Sequence, residues 1–450
     1  CSAGQKAPPE VPSSLSPMRK AENTLERDTA FEMATSNIRY GKGITAEVGM
    51  DAADLNLQRV LVVTDANLSG REPVAVVRQS LDDAGVEHEL FDRTRVEPTD
   101  ASFQEAIQVA TEGAFDGYIA VGGGSSIDTA KAANLYATHP PDNFLDYVNA
   151  PIGAGKPPPG PLKPLIAIPT TAGTGSETTG VAIFDLVEME AKTGIAHRRL
   201  KPVLGIVDPD NTRELPPAVA ASTGLDVLSH ALESYTAIPF DRRPRPERPI
   251  LRPAYQGANP ISDLWSLEAL RLVAAYLPRA IGDADDEQAR GQMLLAAAFA
   301  GIGFGNAGVH LPHGMSYPVA GKVRDYRPPG YDVDHAMVPH GIAVIVNAPA
   351  VFRFTGQENP GRHLHAAQVL GADISTAADA DAGQVLADRI IEMMRDMQMP
   401  NGLQDLGYSS ADIPTLVEGT LPQHRVTKLS PRPASAEELA ALFEDALRYW

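Results

Sequence analysis

From Arg59 onward the chain alternates short runs of β-branched apolar residues with amphipathic segments, and no other feature constrains its fold as strongly. Val60-Leu61-Val62-Val63-Thr64-Asp65 reads as a buried strand, Pro73 to Ala84 as a helix, and Glu87 to Phe91 as a second strand. A helix from Ala101 to Glu112 and strands at Tyr118 to Val121, Pro164 to Ile168 and Gly205-Ile206-Val207-Asp208 continue the pattern. Strands separated by helices of this length form βαβ units and a parallel sheet. After Pro209 the character changes to Ala- and Leu-rich helical stretches: Ala218 to Tyr235, Asp263 to Tyr276, Asp286 to Phe299 and Ala382 to Met397. The expected organisation is a disordered tail over 1–30, an α/β domain over 31–212 and an all-helical domain over 213–450. Between helices, Asp241 to Pro260 is too rich in proline for regular structure and carries Arg242, Arg243, Arg245, Arg248 and Arg252.

Composition narrows the chemistry. In 450 residues there are 57 acidic and 38 basic side chains, a formal charge of −19, which would repel a nucleic-acid backbone or an anionic membrane surface. The sole cysteine is Cys1, so internal disulfides, thiolate metal sites and a core catalytic thiol are excluded, and any metal must be held by His, Asp or Glu. No stretch approaches 18 uninterrupted apolar residues, and no secretory h-region is present. These features predict a cytoplasmic protein with neither nucleic-acid nor membrane partners; a mitochondrial matrix location is the alternative. The sequence starts at Cys1 rather than Met, which reads as a processed or truncated start, with Met18 as a candidate initiator.

The strand ending at Val121 runs into Gly122-Gly123-Gly124-Ser125-Ser126 and then a helix carrying Asp128 and Lys131. Glycines admit close backbone approach to a pyrophosphate, and the first N–H groups of the helix point at the anion. Taken alone, a tight strand-to-helix connection explains the turn equally well. Two features favour a nucleotide. Asp65 ends the first strand, where a carboxylate can accept hydrogen bonds from a ribose, and Thr170-Thr171-Ala172-Gly173-Thr174-Gly175-Ser176-Glu177 brings hydroxyls to the same carboxyl edge of the sheet. Lys192 is placed with this cofactor-binding set.

In Gly224 to Glu233, Asp226 and His230 are four apart and share a helix face, which suits two ligands of one cation as well as an ordinary helix-surface contact. His310 and His313 lie in an apolar, glycine-rich stretch, where buried imidazoles need partners, and His340 precedes another apolar helix. One Asp with several His forms a nitrogen and oxygen donor set suited to Fe²⁺ or Zn²⁺.

The segments GGGSSIDTAK at 122–131, PTTAGTGSE at 169–177, DVLSHALE at 226–233, HGMSYP at 313–318 and PHG at 339–341 resemble those of the iron-containing (group III) alcohol dehydrogenases. The resemblance implies a dehydroquinate-synthase-like fold, an α/β nucleotide-binding domain followed by an all-α metal-binding domain, with the active site between them. It carries the metal-ligand role to Asp226, His230, His313 and His340 and leaves His310 as a core histidine. Many relatives have a further histidine four residues beyond the third ligand; here that position is Tyr317, a tentative catalytic group. A finer resemblance rests on FEMATSNIRYG at 31–41, RVEPTD at 95–100, KPLIAIPTT at 163–171, GNAGVHLPHGMSYP at 305–318 and GTLPQHRVTKL at 419–429. It points to a branch that passes hydride from a hydroxyacid to an oxoacid through tightly bound NAD(H).

That resemblance implies 4-hydroxybutyrate and 2-oxoglutarate as substrates, and succinate semialdehyde and 2-hydroxyglutarate as products. A conventional NAD(P)-dependent alcohol or hydroxyacid dehydrogenase with exchangeable cofactor is the second reading. Small hydroxy- and oxoacids are therefore the expected partners, in a homo-oligomer, a dimer. Their carboxylates call for local positive charge, and Arg242, Arg243 and Arg245 are the arginines expected to supply it, with a solvated loop or a subunit contact as the competing role.

Overall fold

The computed structural model describes residues 27–189, 191–333 and 335–450. Its first half is built on six parallel strands, numbered in chain order: β1 (Asn37–Tyr40), β2 (Arg59–Asp65), β3 (Glu87–Thr94), β4 (Gly117–Gly122), β5 (Leu165–Pro169) and β8 (Leu204–Val207). They lie in the order β1-β8-β5-β4-β2-β3. Four helices cross between them, α1 (Val48–Asp54), α2 (Glu72–Asp83), α3 (Asp100–Gly113) and α4 (Gly124–Thr138).

The continuous apolar runs are explained by burial on both faces. Val60 and Val62 of β2 pack with Val74, Val77 and Leu81 of α2, whereas Leu61 and Val63 pack with Ala106 of α3 and with Ile127 and Ala130 of α4. Val63 of β2 pairs with Ala120 of β4, which brings Asp65 level with Gly122 at one carboxyl edge.

Three strands are absent from the sequence reading of this half: β1 at the sheet edge and the two that follow β5. β6 (Val181–Leu186) and β7 (Ala191–Ala196) form a separate antiparallel hairpin, with Val181 opposite Ala196. Apolar Ala182, Phe184 and Ile195 bury against Phe103 and Leu135, while Asp185 and Lys192 face an internal ion pair, so the hairpin lacks the uniform apolar run of the central strands.

From Pro217 the chain is helical: α5 (Pro217–Thr236), α6 (Pro260–Gly282), α7 (Glu287–Ala307), α8 (Leu311–Gly321), α9 (His340–Ile345) and further helices to Asp445. Leu225, Leu228 and Leu232 of α5, Leu270 and Val273 of α6, and Leu294 and Ala297 of α7 share one core. α7 runs eight residues beyond the expected Phe299, through Gly301, Gly303 and Gly305. No single helix among the described residues is long and apolar enough to cross a membrane.

The expected tail boundary at residue 30 is corrected. Residues 1–26 lie outside those described, but Arg27 bridges to Pro244 and Asp28 is 1 % exposed, paired with Arg243 at 2.7 Å and with Arg252 at 3.1 Å. The following strap lies against both halves: the Glu32 N–H donates to Gln256 and the Ala34 N–H to Asn306 on the helical side, while the Glu32 carboxylate pairs with Arg198 at 2.6 Å on the other. Local composition reads as disorder because the partners that hold these residues are at least 166 positions away.

Candidate active site

The two halves meet in a cleft whose sheet wall is made of backbone and small side chains. Gly122 ends β4 and α4 begins at Gly124, so the helix N-terminus opens at the carboxyl edge of the sheet, and its unpaired N–H groups favour an anion. A Cβ on Gly124 would lie 2.5 Å from Thr174 Cγ2, and one on Gly123 would lie 3.2 Å from Thr171 Oγ1, so the two loops are interlocked. The Thr170 N–H donates to the Gly122 carbonyl at 3.1 Å and ties them together. Ser125 faces the cleft and its hydroxyl accepts from the Glu97 N–H. At the adjacent strand end, Asp65 accepts from the Asn67 and Leu68 N–H groups, and burial, opposed by these bonds, raises its carboxyl pKa.

Other members of the expected cofactor set do different work. Asp128 is held inside, accepting from the Ser176 hydroxyl at 2.5 Å and the Ile183 N–H at 2.9 Å, so it anchors the hairpin to α4 rather than presenting a free carboxylate. Lys192 is 1 % exposed between Glu97 at 2.8 Å and Asp185 at 2.9 Å. Burial opposes its charge, but the two carboxylates outweigh burial and raise the ammonium pKa. Glu97 in turn accepts from the His340 N–H at 3.3 Å. Glu97 thus links the sheet half to the start of α9, a role with no signal in the sequence reading.

The helical wall carries the buried polar groups. One carboxyl oxygen, Asp226 Oδ1, stands 3.6 Å from His230 Nε2, 3.7 Å from His313 Nε2 and 3.8 Å from His340 Nε2. One ligand atom from each of the four falls within 4.8 Å of the others. Helix α5 supplies Asp226 and His230 one turn apart, α8 supplies His313 from its first turn, and α9 begins on His340. Gly341 must be glycine for this approach, because a Cβ there would sit 2.0 Å from the Ser222 carbonyl oxygen of α5. His230 is further fixed by stacking on Phe304, with ring centroids 4.0 Å apart.

Glu233, one turn beyond His230 and fully buried, orders the site from behind. Its Oε1 accepts from His313 Nδ1 at 2.6 Å, and its Oε2 accepts from the His310 N–H at 2.6 Å, capping the start of α8. The imidazole Nε2 of His313 is left pointing toward Asp226, the arrangement that carboxylates impose on metal-bound histidines. His310 lies outside the group and pairs through Nε2 with Thr236 at 3.0 Å.

The electrostatics fit a cation. Asp226 Oδ1 and His313 Nε2 are shielded from solvent without a hydrogen-bond partner. Burial raises the Asp226 carboxyl to about 7, against the pull of His313, while burial first and neighbouring imidazoles second lower His340 to about 3 and His230 well below its ordinary value. At His313 the charge and hydrogen bond of Glu233 outweigh burial and raise the imidazole pKa. Converging unpaired lone pairs in a buried, poorly charged pocket are what a divalent cation satisfies, and three nitrogens with one oxygen suit iron or zinc.

A family model described as iron-containing alcohol dehydrogenase matches residues 35–209, and one described as Fe-containing alcohol dehydrogenase family, C-terminal, matches residues 254–447. The chain belongs to the iron-containing alcohol dehydrogenase family. As a member of it, the protein is an oxidoreductase acting on CH–OH donors. It is 59% identical over 424 residues to the mitochondrial hydroxyacid-oxoacid transhydrogenase of Rattus norvegicus, covering 94% of this chain and 91% of that protein. The fold is similar to that of 1,3-propanediol oxidoreductase, at a TM-score of 0.80 and 29% identity, over 93% of this chain and 100% of the other. It also resembles the sulfoacetaldehyde reductase of Bifidobacterium kashiwanohense, solved in complex with NAD⁺, at a TM-score of 0.74 and 26% identity over 93% and 99% of the two chains.

Within this family member the expected arginine clamp is corrected. Arg242 and Arg245 are exposed, Arg243 is engaged with Asp28 and the Ala30 carbonyl, and none of the three lines the cleft. Two arginines of the proline-rich segment, Arg243 and Arg252, are drawn onto the N-terminal strap by Asp28. The cleft instead receives Arg425, together with Tyr317, which lies one turn beyond His313 and accepts from Arg425 Nη2 at 2.9 Å. The sequence motif around Arg425 carried resemblance but no chemical signal.

Proposed function

We propose that the protein is a hydroxyacid-oxoacid transhydrogenase, transferring hydride from 4-hydroxybutyrate to 2-oxoglutarate and releasing succinate semialdehyde and 2-hydroxyglutarate. The observation that carries this reading is the convergence of Asp226, His230, His313 and His340 opposite the α4 N-terminus, in a chain 59% identical to a transhydrogenase. Two substrates share one cleft in turn: the C4 hydride and hydroxyl proton leave the first, and a hydride at C2 with a proton on oxygen completes the second.

A divalent cation, Fe²⁺ or Zn²⁺, supplies stabilisation of negative charge on the reacting oxygen, and NAD(H) supplies the hydride carrier. Asp226, His230, His313 and His340 would hold the cation, with Glu233 fixing the His313 ring and Glu97 fixing the start of α9. The turn Gly122, Gly123, Gly124 and Ser125 would receive the pyrophosphate on backbone N–H groups, with Thr170, Thr171 and Thr174 closing over it and Asp65 facing a ribose. Tyr317 accepts from Arg425, so its own hydroxyl proton is free to orient a substrate oxygen. The apolar side chains of Phe304, Tyr255 and Val309 exclude water around the hydride path. The mitochondrial names of the relatives support a matrix location over a cytoplasmic one.

The test is turnover of 4-hydroxybutyrate plus 2-oxoglutarate by the purified, metal-loaded protein without added nicotinamide. Formation of 2-hydroxyglutarate under these conditions is expected, together with a nicotinamide dinucleotide that co-purifies in native mass spectrometry. Strict dependence on free NAD would establish the conventional dehydrogenase instead.

A further inference from the structure

Arg425 is the only lysine or arginine among the described residues that line the metal-side cleft. Its environment differs from that of Arg243 and Arg362, and from that of buried Arg290, which donates to the Thr212 and Leu215 carbonyls outside the cleft. Arg243 is neutralised by Asp28, and Arg362 by Asp263, each through a direct ion pair. The neighbours of Arg425 are phenols: Nη2 donates to Tyr317, and the guanidinium lies 5.0 Å from the centroid of the Tyr255 ring. Its Nη1 is shielded from solvent and meets no carboxylate, and only the neighbouring phenol of Tyr255 offers it partial stabilisation. A guanidinium brought into a protein interior without an anion is costly, because phenol oxygens and an aromatic face replace only part of its hydration.

The position of this unpaired donor gives it meaning. Tyr317 stands four residues after His313 on α8, so Arg425 reaches the cleft on the helical wall, beside the metal ligands and across from the glycine turn expected to take the pyrophosphate. A planar fork with a free N–H suits a carboxylate. We propose that Arg425, with the Tyr317 hydroxyl beside it, is the binding subsite for the carboxylate of the hydroxyacid and oxoacid substrates. This rests on the transhydrogenase reading of the same cleft. It replaces the proline-rich arginine segment as the source of local positive charge in an acidic protein.

The experiment compares metal-loaded wild type, Arg425→Met and Arg425→Lys on 4-hydroxybutyrate and on 1,4-butanediol, which keeps the carbon chain and removes the carboxylate. Loss of a buried charge partner predicts that Arg425→Met lowers kcat/KM for the hydroxyacid by about 100-fold, chiefly through KM, and Arg425→Lys by about tenfold. The loss should be selective for the carboxylate, so that the acid-to-diol ratio of kcat/KM falls by at least about tenfold in Arg425→Met, while metal and nucleotide content stay at wild-type levels. Equal losses on acid and diol, or loss of the nucleotide, would overturn the assignment in favour of a packing or cofactor role. A second measurement needs no variant. Phenylglyoxal modification of Arg425 in the wild-type holoenzyme, read by peptide mass mapping, should be slowed by succinate and not by 1,4-butanediol; absence of protection would refute the subsite. If the wild type oxidises the diol but no hydroxyacid, the transhydrogenase reading fails, and succinate protection still decides the fate of the Arg425 subsite.

Discussion

The two walls of the cleft are built from different materials. The sheet wall works through main-chain geometry, with Gly122 to Ser125 and Thr170 to Ser176 interlocked so closely that a single added Cβ collides. The helical wall works through buried side chains whose lone pairs are satisfied only as a set, with Glu233 behind His313 and Glu97 behind His340. A backbone site is disabled by adding atoms, whereas a side-chain site is disabled by removing one donor. The two kinds of damage should therefore separate cleanly.

The largest effect is expected from Asp226→Asn or His313→Ala, which remove a ligand from the converging set. Activity should fall by roughly a thousandfold or more, with metal lost by elemental analysis and the co-purified nucleotide retained. Simultaneous loss of both would show that the walls are not independent. The converse variant, Gly124→Val, overpacks against Thr174 and should weaken nucleotide retention by about ten- to a hundredfold while metal content stays near wild type. Between the walls in subtlety is Glu233→Gln, which keeps the side-chain shape but weakens the anchor on His313. Metal affinity should drop by about ten- to a hundredfold, measured by competition with a chelator.

Glu177 offers a smaller, pH-dependent distinction. It is 2 % exposed in the loop after β5, and burial, only partly countered by a backbone hydrogen bond and by Lys131, raises its carboxyl from 4.5 to about 7. A raised folded-state pKa means that its contribution is fully present below about pH 4.5 and is lost as pH rises through about 7. Glu177→Gln should therefore match the wild-type unfolding midpoint near pH 4.5 and exceed it near pH 8. The smallest catalytic effect belongs to Arg242→Ala, at an exposed position outside the cleft, where KM for 2-oxoglutarate should change by less than about twofold.

What the sequence disclosed follows the same division. Central strands such as β2 were legible because burial on both faces demands an unbroken apolar run, and the glycine turn was legible because its chemistry is contiguous. Asp226 and His230 share one helix face and could be paired by spacing. Local pattern could not separate His310 from His313, since both lie in the same apolar stretch and only the approach of Glu233 distinguishes them. Glu233 itself resembles any acidic helix residue. The β6–β7 hairpin was hidden because Asp185 and Lys192 interrupt its apolar pattern and become internal only with Glu97 between them and α9. Asp28 and Arg425 were illegible for a common reason: each draws its meaning from partners more than 100 residues away.

The central claim is that hydride crosses between two substrates within one cleft without leaving the protein. It is tested most directly by incubating the metal-loaded enzyme with 4-hydroxybutyrate deuterated at C4 and unlabelled 2-oxoglutarate, in the presence of excess free unlabelled NADH. Retention of deuterium at C2 of 2-hydroxyglutarate, with none appearing in the free cofactor, is the predicted result. Deuterium passing into the free NADH pool, with unlabelled 2-hydroxyglutarate as product, would contradict it.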